Sequence, residues 1–159
     1  MSEPYDSRPD TYEHVREVGV RVIAAAKNLL DRAPIHDQSK TEEPERSVFD
    51  EFTPMLKNLT YGTDEYKAAL VGMGEAVQHH YLMNRHHPEH FGDKGIAGMN
   101  LMDIIEMLAD WKAATLRMKD GDLSKSIGIN KDRFDISDQL FSVLMNTAID
   151  LGWLERTTE

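Results

Sequence analysis

Asp64-Glu65-Tyr66-Lys67-Ala68-Ala69-Leu70-Val71-Gly72-Met73-Gly74-Glu75-Ala76-Val77-Gln78-His79-His80 is the stretch that decides the fold class. Tyr66, Leu70, Met73, Val77 and His80 recur at spacings of four, three, four and three. That is the period of one face of a helix, not of a strand. Asp64 is placed to cap a helix of about five turns. His80 shares the apolar stripe, whereas His79 falls on a neighbouring one with Gly72 and Ala76. Two adjacent histidines cannot point the same way on a regular helix. One is expected as a metal ligand and the other as a contact behind it or on a phosphate.

The same periodicity extends in both directions. Before this helix, the turn Tyr61-Gly62-Thr63 separates it from an element starting near Ser39 or Thr41 and running to about Leu59. Glu42 and Glu43 sit near the positive end of that helix dipole. Pro34 stops an earlier helix, from about Asp10 to Arg32, with Val15, Val18, Val22, Ala25 and Leu29 spaced for one buried face. After it, Asn84 to Gly98 holds Pro88 and three glycines and reads as a loop. Asn100 caps a helix from about Leu101 to Met118, ended by Gly121, on which Asp103, Glu106 and Asp110 project from one side. Residues 122–135 read as a polar connection, and Ser137 caps a last helix to Gly152 with an ordinary amphipathic face. No alternating strand pattern occurs. The expectation is an all-α single domain over residues 1–159, of about five helices.

The placement of the histidines bears on chemistry. All seven lie in the first ninety residues: His14, His36, His79, His80, His86, His87 and His90. Neutral imidazole and carboxylate are the usual ligands of Zn, Mn, Fe or Co, and cysteine is absent. The absence also excludes disulfides and thiol nucleophiles. An ordered series of His14, His36-Asp37, His79-His80 and a late Asp therefore points to a metal site. Adjacent His36 and Asp37 can both ligate only where the backbone bends, as it does after Pro34. The plainer readings are a helix cap for His36-Asp37, a partly buried histidine for His14, loop filler for His86, His87 and His90, and a solvated acidic face for Asp103, Glu106 and Asp110. The residues around it, Leu108-Ala109 and Trp111, favour Asp110 over Asp103 as the inward acid.

His36-Asp37-Gln38-Ser39-Lys40 resembles the H-D-x-G-K motif of the cyclic-dinucleotide phosphodiesterase branch of the HD-domain superfamily of metal-dependent phosphohydrolases. His79-His80 followed by Asn84-Arg85-His86-His87-Pro88-Glu89 is similar to a diverged form of that branch's second motif. It also resembles a small, diverged HD-like group worded H-H-x-x-x-N-R-H-H-P-E. Leu108-Ala109-Asp110 is similar to the superfamily's late helical segment. The resemblance spans about residues 10–120. Ser39 stands where the motif has glycine, and the Gly-Tyr-Pro turn is missing, so specificity for cyclic-di-GMP is not implied. The resemblance implies metal ligation by His14, His36, Asp37 and Asp110, with His79 and His80 on a second metal or on phosphate. It implies a catalytic role for Asp37 and Lys40, and substrate contacts from Arg85, His86 and His87. The implied cofactor is one or two divalent ions of Mn, Co, Zn, Ni or Fe.

The remaining bounds are broad. A formal charge of −10 on 159 residues argues against a general nucleic-acid surface. No apolar run approaches membrane-spanning length and the first residues lack the build of a signal peptide, so a cytoplasmic domain is expected. The leading expectation is hydrolysis of a small phosphorylated substrate, a nucleoside mono- or triphosphate, by metal-activated water. The alternatives are a di-iron oxygenase of the same superfamily and a metal-stabilised binding or regulatory module without turnover. A homodimer is compatible with a compact helical domain, with the last helix as its candidate interface.

Overall fold

The computed structural model describes residues 4–60, 62–118 and 121–156. These fall into two units, Met1–His36 and Asp37–Glu159. Among the described residues there is no strand, and seven α-helices and three 3-10 segments replace the five helices expected. No helix is long and apolar enough to cross a membrane among those residues.

The first unit is α1, Arg8–Arg32, followed by the 3-10 turn Ala33–Ile35. Pro9 lies in its first turn, where a missing N–H costs nothing, and Pro34 follows its end. Within this unit by itself, the expected buried face of Val15, Val18 and Val22 has nothing to pack against. A unit made of one helix and a turn has no second element of its own to cover an apolar stripe.

The second unit opens with a 3-10 segment, Gln38–Thr41, and continues as α2, Glu45–Leu56. The single helix expected from Asp64 is two. Thr63 caps α3, Asp64–Gly72, by accepting from the Tyr66 N–H, and α4 spans Glu75–Met83. Gly74 divides them with φ 52° and ψ −123°, a backbone that a side chain would disfavour. The apolar stripe survives the break: Met73, Val77 and His80 are all buried. Tyr61 of the expected turn lies outside the described residues.

Residues Pro88–Gly98 form 3-10 structure, kinked where Gly92 and Gly95 take positive φ. Then α5, Leu101–Arg117, begins at a reciprocal cap. The Asn100 side chain accepts from the Asp103 N–H, and the Asp103 carboxylate accepts from the Asn100 N–H. Met118 closes this helix ahead of Gly121. The stretch expected as a polar connection contains α6, Leu123–Arg133, capped by Asp122. Ser137 caps α7, Asp138–Asp150. Leu108 of α5, Leu123 and Ile127 of α6, Ile136, and Leu144 and Ala148 of α7 form the apolar core. Each fully buried Leu or Ile there contributes about 1.5–3 kcal/mol. On the other side, α2 packs on α4 and on the Gln38–Thr41 segment. These contacts bring Asp37, Glu45 and the α4 histidines together.

Candidate metal centre

The site starts from the backbone at Asp37, a non-glycine residue with φ 56°. Aspartate tolerates this left-handed conformation better than most side chains, and such positions concentrate at functional sites. The Asp37 Oδ2 accepts a 2.6 Å hydrogen bond from Lys40 Nζ. Its Oδ1 lies 3.3 Å from His80 Nε2 and 3.4 Å from His86 Nε2. His80 Nε2 is in turn 2.9 Å from His87 Nε2. One carboxylate oxygen and three imidazole nitrogens, from Asp37, His80, His86 and His87, thus lie within 4.8 Å of one another.

These spacings fit a metal ion. Bonds of 2.0–2.2 Å at tetrahedral to octahedral angles put neighbouring ligand atoms about 2.9–3.5 Å apart. The donors are the borderline nitrogen and oxygen types that first-row divalent metals take. His80 is 3% and His86 2% exposed, so water competes poorly for either ring.

Electrostatics keeps three of the donors, Asp37, His80 and His87, unprotonated. Burial opposes ionisation of Asp37, but His86, Lys40 and His80 outweigh it and hold the carboxyl well below the usual carboxylate range. Burial lowers His80, and Lys40 adds to this against the pull of Asp37 and Glu45. His87 is pushed down to about 2 by burial and by the neighbouring His86 and His80, with Asp110 and Asp37 acting the other way. Both imidazoles are therefore neutral near pH 7, the form that binds a metal.

A consequence for stability follows. In the unfolded chain these histidines take protons below their ordinary value of 6.5. In the folded chain His87 does so only near 2. The stability it contributes is therefore complete above pH 6.5 and is lost as pH falls. The slope is at most about 1.4 kcal/mol per pH unit for each such group. Urea unfolding of metal-free protein is expected to show a clear fall in stability from pH 7 to pH 5. A flat profile over that range would contradict neutral, buried histidines.

Of the other expected residues, Asp110 brings a carboxylate oxygen within 4.8 Å of one of Asp37, and the rest lie around the set or apart from it. His79 Nδ1 donates to Glu45 Oε1 at 2.7 Å, away from the four donors. Arg85 forms a two-point ion pair with Asp103, at 3.2 and 2.9 Å, and lies over the Phe91 ring. Asp103 is fully buried and also serves the α5 cap. Further along α5, Glu106 approaches His86 Nδ1 at 3.5 Å, and the charge of Asp110 acts on His87. Lys40 lies over the Phe49 ring, 4.9 Å from its centroid. His14 is exposed on α1, and His36 is the half-buried last residue of the first unit. Glu45 was not singled out by the sequence. It is fully buried and meets both His79 and His80, at 2.7 and 2.9 Å. In sequence it is indistinguishable from Glu42 and Glu43, acids at the start of a helix.

A family model, described as a family of unknown function (DUF5662), matches residues 3–150. The chain belongs to the DUF5662 family. The matched span includes every residue of the four-donor set and the helices that carry it. No curated protein and no solved structure matches the chain.

Proposed function

We propose that this DUF5662 member is a metal-dependent phosphohydrolase, related to the HD domains, acting on a small phosphorylated substrate of the nucleotide class. The observation that carries the reading is the convergence of Asp37, His80, His86 and His87, with a lysine ammonium 2.6 Å from the same aspartate. When bound, a divalent ion supplies Lewis acidity and lowers the pKa of a water molecule. Asp37, His80, His86 and His87 would hold it, and burial of His80 and His86 limits competition from solvent.

Lys40 then has a defined part. Its side chain is 30% exposed, and Asp37 and the Phe49 ring fix its ammonium beside the donor set. A cation fixed there attracts phosphoryl oxygens and stabilises the charge that develops on them. The chain carries a net charge of −10, so an anionic substrate needs such a local positive point. The resemblance of His36-Asp37-Gln38-Ser39-Lys40 to H-D-x-G-K supports the same assignment.

Phosphate release from a panel of nucleoside mono- and triphosphates, with Mn, Co or Zn added, tests the reading. Release is expected to be metal-dependent and to fall at least about 100-fold in Asp37→Ala. Equal release from the variant would contradict it. Iron-dependent oxygen uptake with no phosphate release would replace it with the oxygenase chemistry.

A further inference from the structure

We infer that Glu45 is a positioning residue: its buried carboxylate fixes the tautomer of His80, so that the Nε2 lone pair faces Asp37 and His87. The inference deepens the metal-centre reading and rests on it only for the effect on metal affinity. The tautomer itself follows from hydrogen-bond accounting around one ring.

His80 Nδ1 has three polar neighbours, Glu45 Oε2 at 2.9 Å, Asn84 Nδ2 at 3.0 Å and Ser39 Oγ at 3.4 Å. The two amide hydrogens of Asn84 have other acceptors, Ser39 Oγ and the His80 carbonyl, both at 2.8 Å. The Ser39 hydroxyl, accepting from Asn84, gives its own hydrogen to Glu45 Oε2 at 3.0 Å. No hydrogen is left over for His80 Nδ1 to accept. A carboxylate only accepts, so Nδ1 must carry the proton and donate it to Glu45. In a neutral imidazole the other nitrogen is then a bare acceptor.

Ring orientation is held as well. A half-turn of the imidazole would put carbon atoms against Glu45 and Asp37 in place of nitrogen. The Phe49 ring meets His80 edge-on, with centroids 5.6 Å apart, and restricts tilting. Glu45 Oε1 accepts from His79 Nδ1 at 2.7 Å, which anchors the carboxylate from the opposite side. Its full burial keeps solvent off the carboxylate itself. The chain Asn84, Ser39, Glu45, His80 therefore runs donor to acceptor until Glu45, where it meets the two histidine protons. An imidazole that donates one nitrogen to a carboxylate presents the other as a more basic metal ligand.

Long-range 1H–15N correlation spectra of the labelled, metal-free 159-residue chain read the tautomer directly. His80 is expected to be protonated at Nδ1 and bare at Nε2. The Nε2-protonated form would overturn the inference, and this measurement needs no variant. In Glu45→Leu, which has no acceptor, His80 is expected to move to the Nε2-protonated form. Affinity for added Co2+ should then fall about 10- to 100-fold. An unchanged tautomer and affinity in a folded Glu45→Leu protein would also overturn it. Should the wild-type chain show the Nδ1-protonated His80 yet bind no Co2+, the role of Glu45 would stand and the metal centre would fall.

Discussion

His80→Ala is expected to weaken binding of divalent metal by more than about 100-fold, while His79→Ala, one residue away, weakens it by no more than about 10-fold. The two side chains leave the same turn of α4 in different directions. His80 Nε2 lies 3.3 Å from Asp37 and 2.9 Å from His87, within the donor set. His79 reaches only the outer face of Glu45 and is 38% exposed. Replacing His80 removes a donor outright and leaves the buried Glu45 without one of its hydrogen-bond donors. Replacing His79 removes one anchor of that carboxylate and leaves Ser39 and His80 on it. Calorimetric or absorbance titrations with Co2+ separate the two. Equal losses in both variants would mean that the donor set is not the one described.

The second large effect concerns the scaffold. Ile127→Ala is expected to lower unfolding free energy by about 2–5 kcal/mol, the usual cost of emptying a fully buried aliphatic site. For a chain of this size that corresponds to a fall in Tm of about 5–15 °C. Ile127 is 0% exposed and packs with Leu108, Leu144 and Ala148. Because it lies on α6, the result also tests whether that segment is a core helix. Thermal melts that show no change would return residues 123–133 to a surface connection.

That segment shows where the sequence falls short. Leu123, Ile127 and Asn130 are the buried positions of α6, at spacings of four and three. Only two are apolar, and apart from Ile129 the other positions hold Ser, Lys, Gly, Asp and Arg. The buried Asn130 hides its amide by donating to the Ser126 carbonyl at 3.0 Å, a local solution invisible to a hydropathy pattern. The division of α3 from α4 is a second case. The apolar stripe runs unbroken across it, and only the backbone at Gly74 reveals the turn. By contrast, Asn100 and Ser137 announce α5 and α7, because a capping side chain next to a periodic apolar run has few other uses.

The candidate site divides in the same way. Histidines, His36-Asp37 and Lys40 stand out by type and order, so the candidate residues are legible in the sequence itself. Which nitrogen faces which oxygen depends on α2 packing against α4, and that contact leaves no mark in spacing. Glu45 is the clearest example. It is one acid among several at a helix start, and only burial and its two histidine partners give it a role. Asp103 is the converse, an acid on the expected face whose carboxylate is engaged by Arg85 and the Asn100 cap.

The measurement that bears most directly on the metal centre is the stoichiometry of divalent ion bound by the 159-residue chain at pH 7. Stepwise addition of Co2+ to metal-free protein is expected to end at a single tightly bound ion, with an absorption spectrum of nitrogen and oxygen ligation that is lost in Asp37→Ala. A chain that takes up no ion at equimolar Co2+, Mn2+, Zn2+ or Fe2+ would contradict the centre and the hydrolase chemistry built on it.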